Sequence, residues 1–304
     1  MFKLFLLFTF FTALTASAQT KFPMGNGLDK WGVPLEVPGS ELSLRLGGRF
    51  QSLATHETEN NLDKDTTSTS MDFQARRVRF QFQADLSKKA SVYFDIRNDN
   101  ANQDDKGEQK FNIGDAYVAI PLSSSESSKH ILRLYRAKVD VSRTQTISSS
   151  ELLFLNRPYV ADEAAQFVSH NRRASNVQFI GQIGKKLYYQ VVAGEGVNSE
   201  KFADADGSTL ALGSIEKQNF MVGGKLRFSP FTGWEDSKPT ETYFGEGKHF
   251  SVGLGAFNTS KIRYENAAGT QGMVSRNLYN LEMSAHLNEW SVQSEFFHMD
   301  GVGV

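Results

Sequence analysis

Basic side chains at period-two spacing are the part of this sequence best suited to chemistry. Arg77 and Arg79 share one parity of a segment whose other parity is Val78, Phe80, Phe82, Ala84 and Leu86. Arg97 alternates in the same way with Phe94 and Ile96, and Arg133 with Leu132 and Leu134. Successive side chains of a β-strand point to opposite faces, so each of these arginines shares its face with polar residues. Rings of Arg or Lys are how anion pores select. Two unit charges ~4 Å apart interact by ~1 kcal/mol in water and by several times more in a narrow, lower-dielectric throat. A few residues therefore dominate only at a constriction.

A candidate constriction lies between Arg133 and Arg173, where a short strand opens into a long Ser- and Arg-containing segment. Connections of this length are usually functional or disordered. The apolar run Leu152 to Leu155 argues that this one packs against something. Residues 142–172 are expected to fold inward, with Lys138, Arg143 and Arg157 beside Ser149 and Ser150. Arg136 and Lys138 fall on the parity of Leu132 and Leu134, so they reach the polar side only if a bulge or strand end intervenes near Tyr135. The competing reading of any wall arginine is a brace paired with Asp85, Asp95 or Asp115. Arg172-Arg173 reads either as a further basic contribution or as a surface pair near lipopolysaccharide phosphates.

Other chemistries find little support. His56, His130, His170, His249, His286 and His298 are scattered, with no H-x-x-x-H or H-E-x-x-H spacing. A Ser–His arrangement is spatial rather than sequential, and His298 on the last strand is the histidine to suspect of one. The Asn- and Asp-rich loop 98–110 lacks the glycine placement of an EF-hand turn and reads as a solvated loop. With no cysteine, thiol chemistry and zinc–thiolate sites are excluded. The residues imply no cofactor and no enzymatic activity.

The elements that carry these side chains alternate along nearly the whole chain. Leu42, Leu44 and Leu46 begin the pattern, and a polar loop follows from Glu57 to Ser70. Val92 to Ile96, Ala116 to Ile120, Val177 to Ile183, Leu187 to Ala193, Phe220 to Phe228, Phe250 to Ala256, Leu281 to Leu287 and Trp290 to Phe296 continue it. A longer loop is expected over 195–216 and another over 258–276. The tight connections Ser87-Lys88-Lys89, Gly184-Lys185-Lys186 and Asn288-Glu289 alternate with long polar ones. Outer-membrane barrels sort their loops by end in this way. A soluble sandwich also alternates but has no reason to do so. The pattern predicts an all-β, antiparallel transmembrane β-barrel with about eleven strands in these residues. Bacterial single-chain barrels close with an even number, so several C-terminal strands are expected to be absent.

The N-terminus reads as an address. Lys3, the apolar run Leu4 to Phe11 and Ala16-Ser17-Ala18 form the charged, apolar and cleavage regions of a signal peptide over residues 1–18. The run is too short for a membrane helix. Residues 19–40 form a polar lead and 41–304 the barrel. A formal net charge of −1 gives no reason to expect a nucleic-acid partner.

Phe73-Gln74-Ala75-Arg76-Arg77-Val78-Arg79, Gly114-Asp115-Ala116-Tyr117-Val118 and the Arg133–Arg157 stretch occur in an order that resembles the phosphate-selective porin O and P family. Over 42–300 the chain is similar to the N-terminal two-thirds of such a porin. Lys138, Ser142, Ser149, Ser150 and Arg157 fit the family's central segment. Tyr135-Arg136 stands where the family has Gly-Gln, Ala137 where it has phenylalanine and Asp140 where it has proline. The resemblance implies a barrel of roughly sixteen strands, commonly trimeric. It also implies an inward third extracellular loop and arginines that lead anions to a lysine-containing constriction. The expected function is a Gram-negative outer-membrane porin, a passive channel for small anions such as phosphate or polyphosphate, in contact with lipid and lipopolysaccharide. A general, weakly selective porin and a secreted, soluble β-rich binding protein are the alternatives.

Overall fold

A computed structural model describes residues 4–6, 33–36, 41–61, 66–86, 89–98, 111–125, 128–147, 158–170, 173–184, 186–197, 214–230, 248–265, 269–287 and 290–303. They divide into two compact units, residues 1–116 and 117–304.

The first unit holds β1 (Leu4–Leu6), β2 (Val33–Glu36), β3 (Leu42–Asn61), β4 (Thr66–Leu86), β5 (Ala90–Asn98) and the start of β6 (Asn112–Ser124). β3 pairs antiparallel with β4 from Leu42 opposite Leu86 to Asn61 opposite Thr66. Gln51 faces Arg77 but Ser52 faces Ala75, so Arg76 is the extra residue of a β-bulge. β4 pairs with β5 without a shift, and β1 and β2 both pair with β3. β1 falls inside the segment that the sequence assigns to the signal peptide.

The second unit holds β7 (Ser128–Lys138), α1 (Arg143–Thr146), α2 (Tyr159–Val168), β8 (Arg173–Ile183), β9 (Leu187–Gly194), β10 (Ser214–Lys217), β11 (Met221–Phe228), β12 (Lys248–Glu265), β13 (Gln271–Leu287) and β14 (Trp290–Gly303). β7, β8, β9, β11, β12, β13 and β14 pair antiparallel in that order, and β10 also pairs with β12. Tight connections close the hairpins at one end. Lys186 donates to Ile183 O at 3.3 Å with Gly184 at φ +61°, and Leu287 faces Trp290 across two residues. The connection after Phe228 is long although it leaves from that same end, where Ser229 donates to Lys186 O at 2.8 Å. Among the described residues β14 pairs on one side only, with β13.

Burial along these strands is inverted relative to a water-soluble sheet. Lys225 and Arg227 are each 2% exposed, whereas their neighbours Leu226 and Phe228 are 53% and 44% exposed. Val177, Val191, Leu254, Tyr279, Leu281 and Phe296 are likewise exposed, and Gln178, Gln190, Asn280 and Glu282 buried. Apolar-out, polar-in alternation is the strand pattern of a transmembrane barrel. Apart from the short β1, β2 and β10, each strand corresponds to one alternating segment of the sequence.

Two expected loops are largely strand. The ladder of β3 and β4 runs through Glu57–Asn61 and Thr66–Ser70, and β12 and β13 fill most of 258–276. Side-chain alternation stops where a strand leaves the apolar band, but backbone N–H and C=O groups go on pairing. Strand alternation does not reveal α2, although Ala161, Ala164, Ala165 and Val168 carry the helical i, i+3, i+4, i+7 spacing and lie on its buried face. The expected run Leu152 to Leu155 and the 98–110 loop lie almost entirely outside the described residues.

Candidate functional site

The buried polar face of the second unit is covered by the segment that follows β7. Alternation ends at Lys138, and Val139, Asp140 and Val141 are all buried. Ser142 then caps α1, its Oγ accepting from Gln145 N at 3.1 Å. A side-chain oxygen at this position satisfies one of the amides that a helix start leaves over. The next two amides are satisfied by the sheet. Arg143 N donates to Glu282 Oε2 at 2.7 Å, and Thr144 N to Glu295 Oε1 at 2.8 Å. Gln293 Nε2 donates to Thr144 Oγ1 at 2.7 Å, and Arg143 Nε to Gln293 Oε1 at 3.3 Å. The first turn of the segment is thus fastened to β13 and β14.

Beneath it lies a charge cluster. Lys225 Nζ sits 2.7 Å from Asp140 Oδ1 and 2.8 Å from Glu282 Oε2. Arg227 Nε donates to Glu282 Oε1 at 2.9 Å, and its guanidinium lies 5.3 Å from the Tyr188 ring centroid. Gln190 Nε2 donates to the Asp140 carbonyl at 2.6 Å. A buried charge costs little only when paired and hydrogen-bonded, and each member here is.

Further along the same face the cover is apolar. Ala164, Ala165, Phe167 and Val168 of α2 join Tyr135, Val139, Val141, Val192, Met221, Phe257 and Leu278 in one cluster. The carbonyls at the end of α2 are held by the sheet. Thr259 Oγ1 donates to Val168 O at 2.6 Å, and Arg276 Nη1 to Phe167 O at 3.3 Å. A cation at a helix C-terminus also complements the helix dipole.

In the first unit the polar face is built from close neighbours. Arg97 pairs with Asp95, Nε to Oδ1 at 2.9 Å, and lies 3.3 Å from Asp115. Asp115 N donates to Asp95 Oδ1 at 2.9 Å, and Gln81 Nε2 to Tyr93 OH at 3.0 Å. Gly114 leaves the room for this pair, since a Cβ there would meet Arg97 Nε and Asp95 Oδ1 at 1.8 Å. Arg77 donates to Gln51 Oε1 at 2.8 Å. Arg79 faces Arg49 on one side and Arg97 on the other, a row of three arginines across β3, β4 and β5.

The family model of phosphate-selective porin O and P matches residues 45–302. The chain belongs to this family. A curated protein of Aquifex aeolicus (strain VF5), described as uncharacterized, is 27% identical over 196 residues, which are 60% of this chain and 46% of that protein. The chain spans about half the length of that relative. No solved structure matches.

Within the porin fold the expected residues are placed apart from one another. Arg77, Arg79 and Arg97 share the polar face of the first unit, and Arg97 is held between two carboxylates, as the bracing alternative describes. Arg143 is buried at the start of α1, and Arg133 lies over Tyr117 and Tyr135 at 5.2 and 4.6 Å. Lys138 is the last residue of β7. β7 pairs with β8 without a register shift from Ser128 to Lys138, so no bulge turns it, and it ends the strand on the parity of Leu134 and Arg136. Arg157, Ser149 and Ser150 lie outside the described residues. His298 stacks on Tyr279 at 6.1 Å, on the apolar parity.

The cluster of Asp140, Lys225, Arg227 and Glu282 was not assembled from the sequence. Alternation placed Lys225 and Arg227 on a polar face, and Leu281 and Met283 would have placed Glu282 there too. Nothing local joins Glu282 to residues 55 and 139 positions away.

Proposed function

We propose that this chain forms wall and constriction of an outer-membrane channel through which small anions, phosphate or polyphosphate among them, diffuse passively. It acts as a channel rather than an enzyme. The observation that carries the reading is Arg49 directly opposite Arg79 on neighbouring strands, with Arg97, braced by Asp95 and Asp115, opposite Arg79 on the next. Like charges directly across a ladder destabilise it. A wall that keeps them gains an attraction for anions in return, with guanidinium groups replacing part of the anion's hydration. The segment 142–172, with Arg143, Arg157, Ser149 and Ser150, narrows the path, and Arg77 and Arg133 extend it. Residues 1–18 act as a signal peptide, the exposed apolar faces meet lipid and lipopolysaccharide, and the assembly is a homotrimer.

Phosphate titrated into the chloride current of the folded protein in planar bilayers tests this reading. Block of the current, weakened by Arg79→Ala, is expected. A chloride current indifferent to phosphate favours a general, weakly selective porin. The carboxylates of Asp140 and Glu282 beside Lys225 and Arg227 are the feature that supports this second reading. A secreted soluble binding protein would have to keep Leu226, Leu254, Leu281 and Phe296 in water.

A further inference from the structure

Three donors converge on one carboxylate. Lys225 Nζ and the Arg143 N–H reach Glu282 Oε2 at 2.8 and 2.7 Å, and Arg227 Nε reaches Oε1 at 2.9 Å. The side chains of Lys225, Arg227 and Glu282 are 0%, 2% and 3% exposed. An ammonium, a guanidinium N–H and a backbone amide around two oxygens form the donor set that a phosphate-like oxyanion takes. Here the oxygens belong to the protein.

We propose that Lys225, Arg227 and the Arg143 amide form an oxyanion site whose resident ligand is the Glu282 carboxylate. Glu282 thereby decides specificity. While it occupies the site, a tetrahedral oxyanion is shut out, and the cluster of Lys225, Arg227, Asp140 and Glu282 is neutral. Without it, Lys225 and Arg227 lose the carboxylate they share, Lys225 keeps Asp140 at 2.7 Å, and a phosphate-sized anion restores the balance. The use of this site in selectivity rests on the anion-channel reading, but its chemistry does not. A brace and an occupied site differ in one respect: only the site is rescued by an external anion when its internal one is removed.

The test is thermal unfolding of the full chain in detergent, with inorganic phosphate compared with chloride at equal ionic strength. Phosphate should raise the melting temperature of Glu282→Ala by roughly 2–4 °C, since a ligand that binds only the folded state stabilises it. Phosphate should stabilise the wild type, and the double variant Lys225→Met with Glu282→Ala, less than it stabilises Glu282→Ala. Glu282→Gln, which removes the charge but still fills the space, should respond less than Glu282→Ala. If a variant folds poorly, its refolding yield in phosphate replaces the melting temperature, with a rise expected. Variants indifferent to phosphate, in melting temperature or in yield, overturn the proposal. So does a wild type that phosphate stabilises as much as the variants. A cation-selective wild-type current together with phosphate-stabilised Glu282→Ala would sink the channel reading and leave the site standing.

Discussion

Arg97 in the first unit and Arg227 in the second are both buried arginines on the polar face of a strand, yet their counterions come from different places. Arg97 pairs with Asp95, two residues away on the same strand, and with Asp115. Arg227 pairs with Glu282, 55 positions along the chain, and Glu282 also receives Lys225 and the amide of Arg143. The first arrangement stiffens a stretch of wall. The second ties three separate parts of the chain into one cluster and fastens the segment after β7 to the sheet. An arginine on a polar face is therefore assigned a role by its nearest carboxylate, not by its face.

Removing a cation from the second arrangement should have the largest effect. Lys225→Met leaves Asp140 and Glu282 with one partner fewer, and breaking a buried ion pair typically costs ~3–5 kcal/mol. Denaturant unfolding in detergent measures the loss, and protease cleavage within residues 139–172 should rise with it. A loss below ~1 kcal/mol would show that the cluster does not hold the segment, because exposed pairs are worth no more than that. On the opposite face of the same strand, Leu226→Arg should cost ~2–4 kcal/mol in a bilayer. Folding measured in lipid and in denaturant-free detergent should separate this lipid-specific cost from a packing defect.

The first arrangement should yield less. Gly114→Ala forces a Cβ into the Arg97–Asp95 pair, and overpacking of this kind costs ~1–3 kcal/mol. Equilibrium unfolding reads the change, and the cost of Gly114→Ala should be smaller in an Arg97→Ala background than in the parent. A Gly114→Ala chain as stable as the parent would remove the close approach from the account. Lys138→Ala should do least. On the parity of Leu134 it should change stability by no more than ~0.5 kcal/mol, as surface substitutions do, and leave any phosphate block unaltered. A weakened block would return Lys138 to the anion path.

The same contrast explains what was legible in the sequence. Period-two alternation marked the long strands, and it put Arg77, Arg79 and Arg97 on one face and Phe80 and Ile96 on the other. Asp95 and Arg97, two apart, could be paired by eye. Strand ends were not legible, because Glu57–Asn61 and Thr66–Ser70 pair through their backbones and carry no apolar signal. The cluster of Asp140, Lys225, Arg227 and Glu282 was not legible because its members are joined only by the folded sheet. At Lys138 the family motif suggests a residue facing the pore, and the unshifted β7–β8 register ends there on the parity of Leu134.

The central claim is that the polar face passes anions, and the reversal potential of the folded chain in a planar bilayer under a potassium chloride gradient tests it most directly. A reversal potential displaced toward the chloride equilibrium potential is expected, with Arg79→Ala moving it back toward zero. A reversal potential displaced toward the potassium equilibrium potential would contradict it.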